Sequence, residues 1–345
     1  MDKNVINKIR SGYYSALYFN RTKEILFREN NVKRVTMQIF QKNYAILCGI
    51  NEVIELLKIG VGYFSKNKWI NKYSSLNIEY LSDGDKISPR ESVLHITGPY
   101  QYFAHLESLY LGILARRTLI ATNSNKIVCA ASGKPIIFFG DRYDYFLNQE
   151  GDGYAAHIGG INTVCTDAQA FLWKGKTAGT IPHSLIAIND GNTLESIRLF
   201  SKHIDDRVIA LVDFNNDCIS TSLNAAKLLK NKLWGVRVDT AEDMKDKSLN
   251  KKGGKKYYGV NSTLIKLLRS ELDTNGFPYV KIIVSGGFNT EKIIDFEKQQ
   301  TPVDIYGVGS SLLKGNNDFT ADIVKVEEKK IAKSGRHFKS NKRFI

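Results

Sequence analysis

The sequence predicts an α/β fold: an irregular parallel α/β barrel preceded by an N-terminal α+β domain. Two observations carry the barrel. From Gly133 onward, short β-rich runs recur, most of them followed by a segment with helical spacing. The runs are near-continuously apolar, as suits strands covered on both faces. A third observation carries the smaller domain, because the first hundred residues mix alternating strands with helical periodicity.

In chain order, the N-terminal domain is expected over residues 1–130. Residues 35–40 alternate and are rich in β-formers, and residues 44–47 follow, so the pair predicts a hairpin around Gln41-Lys42-Asn43. Val53, Ile54, Leu57 and Val61 give residues 51–64 a helical spacing. Residues 76–80 and 93–97 read as two further strands, separated by the turn signal Asp83-Gly84-Asp85. Residues 103–129 read as one long helix or two, with Leu106, Leu109, Ile113 and Leu114 on one side. The barrel is expected over residues 131–315, with strands at 135–139, 161–164, 178–181, 208–212, 233–238, 280–284 and 303–308. A doubly wound sheet has a similar rhythm. Residues 316–345 form a basic C-terminal segment, expected to return to the N-terminal domain.

Composition narrows the class. The chain has 345 residues, 43% hydrophobic and 24% charged, which allows a large core. No apolar run is long enough for a membrane span, and the start lacks a signal-peptide pattern, so a cytoplasmic protein without membrane partners is expected. Four scattered cysteines without a CxxC pair argue against zinc knuckles and disulfides and read as reduced, buried thiols. The 49 basic and 35 acidic residues give a net charge of +14. Part of it is local, since eight Lys or Arg face two Glu between Lys325 and Arg343. Such a run reads as a solvated tail in preference to a nucleic-acid arm, and its only aromatics are Phe338 and Phe344.

Ligands of a parallel barrel bind where the strands point. The residues there are Asp141-Arg142, Thr166-Asp167, His183, Asp213, Arg237 with Asp239, Ser285-Gly286-Gly287, and Gly307-Val308-Gly309-Ser310. Paired glycine turns after the last two strands suit a phosphate, since backbone N–H groups and a helix N-terminus can approach it; tight turns needing positive φ are the alternative. Asp213 and Asp239 suit ribose hydroxyls, or the caps of following helices. Arg237 shares a strand face with Asp239 and needs an anion there, whether a substrate or one of those aspartates. Gly175-Lys176-Thr177 mimics a P-loop ending, but Ala170 stands where that motif needs glycine.

With these residues collected, the chain closely resembles the nicotinate phosphoribosyltransferase family, the type II phosphoribosyltransferases. The motifs run from Ser11-Gly12-Tyr13-Tyr14 through Phe103-Ala104-His105-Leu106-Glu107, Leu114-Ala115-Arg116-Arg117-Thr118 and Gly179-Thr180-Ile181-Pro182-His183. They continue through Gly235-Val236-Arg237-Val238-Asp239 and Val284-Ser285-Gly286-Gly287 to Tyr306-Gly307-Val308-Gly309. The resemblance implies that nicotinate and phosphoribosyl pyrophosphate give nicotinate mononucleotide and pyrophosphate, with coupled ATP hydrolysis, in NAD biosynthesis. It also implies Mg²⁺ and a homodimer or larger assembly with shared active sites. Nicotinamide or quinolinate is the alternative acceptor.

The resemblance also assigns roles. His183 matches the histidine that ATP phosphorylates, although a lone His after Pro is commonly a core residue. Tyr13 matches an aromatic that reaches a neighbouring subunit's pyridine ring, with ordinary N-terminal packing as the alternative. Arg116, Arg117 and Arg142 match positions near the pyrophosphate, unless they are surface arginines. The family often carries an arginine before the second barrel strand. Here that stretch is Tyr154-Ala155-Ala156-His157, so His157 or Arg237 is left to meet the nicotinate carboxylate.

Overall fold

The computed structural model describes residues 2–345. The chain divides into two units: one extends to Thr122 and resumes at Gly315–Ile345, and the other is Asn123–Lys314.

The first unit opens with helices α1 (Lys3–Arg10) and α2 (Leu17–Arg28), followed by β1 (Arg34–Gln41), β2 (Ala45–Ile46) and α3 (Ile50–Gly60). Then come β3 (Gly62–Ser65), β4 (Lys68–Asn71), β5 (Asn77–Tyr80), β6 (Lys86–Ile87), β7 (Ser92–Pro99) and the long helix α4 (Glu107–Ala130), whose last turns enter the second unit. Its main sheet is antiparallel, in the order Phe319–Val326, β1, β7, β5. Met37, Ile39, Leu94 and Ile96 from the sheet meet Val53 and Leu57 of α3 and Tyr110 of α4 in one core. Each such fully buried aliphatic side chain contributes roughly 1.5–3 kcal/mol.

The expected hairpin does not form. Both edges of β1 are taken, by β7 and by the Phe319–Val326 strand, and β2 pairs with β6 instead. The Gln41 side chain accepts from Asn43 N (2.8 Å) and donates to Asn43 O, which turns the chain out of the sheet.

The C-terminal segment is docked, contrary to the solvated-tail reading. Phe338 and Phe344 flank the His95 ring at 5.2 and 4.8 Å, and Arg343 pairs with Asp85 and Glu91, each at 2.9 Å. Arg336 pairs with Asp322 at 2.7 Å, and Ile345 exchanges backbone hydrogen bonds with Tyr80. Acidic partners scattered through earlier sequence neutralise part of the run. The charge count of the tail alone does not show them.

In the second unit, β8 (Ile136–Phe138) leads to α5 (Gln149–Ile158), β9 (Thr163–Val164), α6 (Asp167–Phe171), β10 (Lys176–Thr177), α7 (His183–Ile188) and α8 (Thr193–His203). There follow β11 (Val208–Leu211), α9 (Cys218–Leu229), β12 (Leu233–Val238), α10 (Ser262–Thr274), β13 (Lys281–Val284), α11 (Thr290–Lys298) and β14 (Ile305–Val308). The seven strands are all parallel, in the order β10-β9-β8-β14-β13-β12-β11, and curl into a half-barrel. This is the predicted class, with a gap between β10 and β11. The run 178–181, expected as a strand, crosses that gap as irregular chain. Ala178 N donates to Val164 O (2.8 Å) and Ile181 N to Ile209 O (3.4 Å). Gly179 and Pro182 deny the run a regular ladder.

Cys48 and Cys218 are buried and Cys165 half-buried, but Cys129, near the end of α4, is exposed, against the expectation of four buried thiols. No helix of the described residues is long and apolar enough to cross a membrane.

Candidate active site

The ends of β11, β12 and β13 lie side by side, and their ladder continues one residue further. Val212 N donates to Arg237 O (3.1 Å), and Ser285 N donates to Val238 O (3.0 Å). This register presents Asp213, Arg237, Asp239 and Ser285 together. Arg237 uses each guanidinium nitrogen: Nε donates to Ser285 Oγ (3.0 Å), Nη1 to Thr180 Oγ1 (2.6 Å) and Nη2 to Asp239 Oδ2 (2.7 Å). Ser285 Oγ in turn donates to Asp239 Oδ1 (2.7 Å). The Phe139 ring lies 5.1 Å from the guanidinium carbon and covers one face of it. Two of the five guanidinium donors remain, one on each terminal nitrogen. A side chain fixed this firmly is set to meet a planar anion.

His183 is the first residue of α7, and its Nε2 lies 3.3 Å from Asp213 Oδ2. The histidine is 47% exposed while Asp213 is 6% exposed, so a solvent-facing ring rests on a buried carboxylate. A carboxylate only accepts, so Nε2 carries the proton and Nδ1 keeps its lone pair when the ring is neutral. The Asp213 hydrogen bond raises the His183 pKa above its ordinary value against the opposing effect of burial, and the charge of Asp239 adds to it. Asp213 Oδ1 is buried and has no hydrogen-bond partner among the described residues. Neither aspartate caps a helix: α9 follows Asp217 and α10 is capped by Asn261.

The two glycine turns differ. Gly286 and Gly287 have φ of 86° and 70°, the left-handed region that glycine tolerates. Gly307 lies inside β14, where a Cβ would meet the Phe139 ring at 2.5 Å and Ser285 Cβ at 3.1 Å. At Gly309 a Cβ would meet Phe139 O at 2.7 Å. Close packing explains this second pair without positive φ. Ser310 opens a short 3-10 turn. Lys292 in the first turn of α11 donates from Nζ to Gly286 O (3.0 Å), and burial lowers its pKa.

Arg142 stands beside this group. The Asp239 and Asp141 charges contribute to its raised pKa, behind the Tyr143 hydrogen bond, and its side chain lies over the Tyr143 ring. His157 is elsewhere, in the last turn of α5, with its ring stacked on Trp173 at 4.2 Å and 8°. Its Nδ1 is buried and has no hydrogen-bond partner among the described residues. Tyr13, Arg116 and Arg117 belong to the first unit. Tyr13 is 69% exposed beside Tyr14, and Arg117 Nε donates to Glu52 at 2.8 Å. Sequence reasoning gave no role to Thr180, Phe139 or Lys292. Thr180 lay within a quoted motif, but the other two carry no signal apart from their strand and helix positions.

A family model for the N-terminal domain of quinolinate phosphoribosyl transferase matches residues 16–118. A solved structure of nicotinate-nucleotide pyrophosphorylase from Pyrococcus furiosus is 32% identical, covers 98% of this chain and 80% of its own, and superposes with a TM-score of 0.81. The chain belongs to the type II phosphoribosyltransferases, the nicotinate phosphoribosyltransferase family. Human nicotinic acid phosphoribosyltransferase, 13% identical over 92% of this chain and 75% of its own, has a TM-score of 0.71 and shares the fold. A nicotinate phosphoribosyltransferase of Mycobacterium tuberculosis is 27% identical over 255 residues, covering 72% of this chain and 52% of the relative. One of Bacillus subtilis is 24% identical over 298 residues, 79% of this chain and 56% of that protein. The chain thus spans about half the length of the curated relatives it matches. The phosphoribosyltransferase motifs that carry Arg237, Asp239 and Ser285 form one bonded group at the end of the parallel sheet.

Proposed function

We propose that this chain is a nicotinate phosphoribosyltransferase, joining nicotinate to phosphoribosyl pyrophosphate to give nicotinate mononucleotide and pyrophosphate, with ATP hydrolysis coupled to the transfer, in NAD biosynthesis. The observation that supports it best is Asp213, which offers one oxygen to His183 and holds the other buried with no hydrogen-bond partner among the described residues. An unpaired buried carboxylate oxygen is costly unless a ligand donates to it. Ribose hydroxyls are such donors, and positive charge develops on the ribose as its C1–O bond to pyrophosphate breaks. Asp239, held by Arg237 and Ser285, adds a second fixed negative charge. The two remaining Arg237 donors suit the nicotinate carboxylate. His157, stacked on Trp173, has no described contact with this group, so Arg237 is the better candidate.

Phosphate oxygens would sit against Gly286 and Gly287, with Ser285 and Ser310 at either side, and Arg142 nearby. Among the described residues no cluster of three or more His, Cys, Asp or Glu is placed to hold a metal. Mg²⁺ would be carried by the oxygens of the pyrophosphate and not by a protein cage. It would offset the charge of the leaving group. In the ATP step, His183 Nδ1 would form a bond to the γ-phosphorus while the bond to the ADP oxygen breaks. Asp213 would hold the proton on Nε2 and stabilise the ring's gain of charge. Tyr13, Arg116 and Arg117 would then serve a partner's site in a homodimer or larger assembly.

Nicotinate-dependent release of pyrophosphate, with and without ATP, tests this reading. His183→Ala should lose the ATP stimulation and retain part of the basal transfer. Equal stimulation of variant and wild type contradicts the role of His183.

A further inference from the structure

The basic C-terminal run has no part in the proposed transfer, and its docking leaves several cations together. Gln38 on β1, only 4% exposed, holds the backbone of the run at two points. Its Nε2 donates to His337 O (3.2 Å), and its Oε1 accepts from Lys339 N (2.8 Å). Between these points Phe338 turns inward against His95, with the Lys325 Nζ 4.1 Å from its ring. The two-residue period of an extended chain then directs His337 and Lys339 to the other side. Gly335, at φ 81°, makes the turn that brings Arg336 onto the same side.

The result is a cavity of about 50 Å³ lined by Gln38, Phe40, Arg90, Arg336, His337 and Lys339, with Gly335 at its turn. Arg336 has Asp322 as a partner, and its guanidinium stacks over Phe40 at 5.4 Å. Among the described residues, Arg90 takes part in hydrogen bonds only through its backbone, accepting from Lys339 Nζ (3.4 Å) and donating to Gln41 O (2.7 Å). No carboxylate is among the lining residues. Cations converging on a small polar cavity repel one another unless an anion joins them. The volume is far below the roughly 300–1,000 Å³ of drug-sized ligand sites. An oxyanion of phosphate type fits both the size and the donors, because Arg guanidinium and Lys ammonium groups bind phosphate oxygens with charge-assisted hydrogen bonds.

We propose that Arg90, Arg336, His337 and Lys339 form a binding site for a small oxyanion, phosphate or the phosphate end of a metabolite, built wholly within the first unit. The anion locks the C-terminal run onto the sheet. Its presence there makes tail docking depend on phosphate concentration.

The test uses the full-length chain and limited trypsin cleavage after Arg336, mapped by mass spectrometry, in inorganic phosphate, in pyrophosphate and in chloride of matched ionic strength, and in chloride with an RNA oligonucleotide. At an anion concentration about ten times its Kd, cleavage should slow about tenfold relative to chloride. Arg90→Gln and His337→Ala should each abolish that protection while leaving pyrophosphate release by the enzyme unchanged. Protection by pyrophosphate but not phosphate assigns the site to a diphosphate. Equal cleavage in all three salts overturns the proposal, as does protection that survives both substitutions. Protection by an RNA oligonucleotide alone overturns it in favour of a nucleic-acid surface.

Discussion

Asp213 is the residue on which the chemistry of the site turns, because its buried carboxylate sets the proton on His183. The raised His183 pKa has a definite sign. The protonated ring gains from Asp213 in the folded chain, so this contribution is complete below the ordinary value of about 6.5 and disappears as pH rises through the folded value. Asp213→Asn should therefore lower the His183 pKa, read from its ring proton shifts in an NMR titration. An unchanged midpoint contradicts the pairing. Most of these residues were legible in the sequence. Two-residue spacing put Arg237 and Asp239 on one face, and motif order singled out His183. Thr180 and Phe139 were not legible as partners of Arg237, since those contacts depend on register between strands distant in sequence.

Elements were legible where apolar runs were long enough to fill a strand. The run at 233–238 is β12 to the residue. β9 and β10 have two residues each, too few for a periodic signal, and the expected strand at 178–181 proved to be the crossing of the gap. The hairpin expectation failed for a different reason: local alternation cannot say that both edges of β1 are claimed by remote strands. At this scale Gly307 carries the clearest prediction. A Cβ added there would run into the Phe139 ring and Ser285, so Gly307→Ala should destabilise the second unit by about 1–3 kcal/mol in denaturant unfolding, the usual cost of overpacking. Adding Phe139→Ala should recover part of that loss, since the two sites share the contact. A neutral Gly307→Ala would show that the strand-end packing is looser than the contacts imply.

At the scale of the molecule, the tail binds the sequence's two ends into one unit. Burial, aided by Lys325, pushes His95 down to about 4, with Glu79 at 3.9 Å as the nearby carboxylate. The fold thus favours the neutral ring. The stability this gives is complete above about pH 6.5 and is lost as pH falls toward the folded value. Removing residues 332–345 uncovers His95 and Gln38 and takes away the half-buried Phe338 and Phe344, and should cost the first unit roughly 2–4 kcal/mol in a denaturant titration. No loss would mean that the docked tail contributes nothing to the fold. Net charge was a poor guide to this arrangement because it counts the tail's cations but not the acids that receive them. The reaction is a property of the whole molecule. The most direct measurement is to incubate the protein with phosphoribosyl pyrophosphate and Mg²⁺, offering nicotinate, nicotinamide or quinolinate separately, with and without ATP, and to identify the mononucleotide. The proposed reaction requires nicotinate mononucleotide from nicotinate, formed faster with ATP. Turnover of quinolinate or nicotinamide without turnover of nicotinate would contradict it.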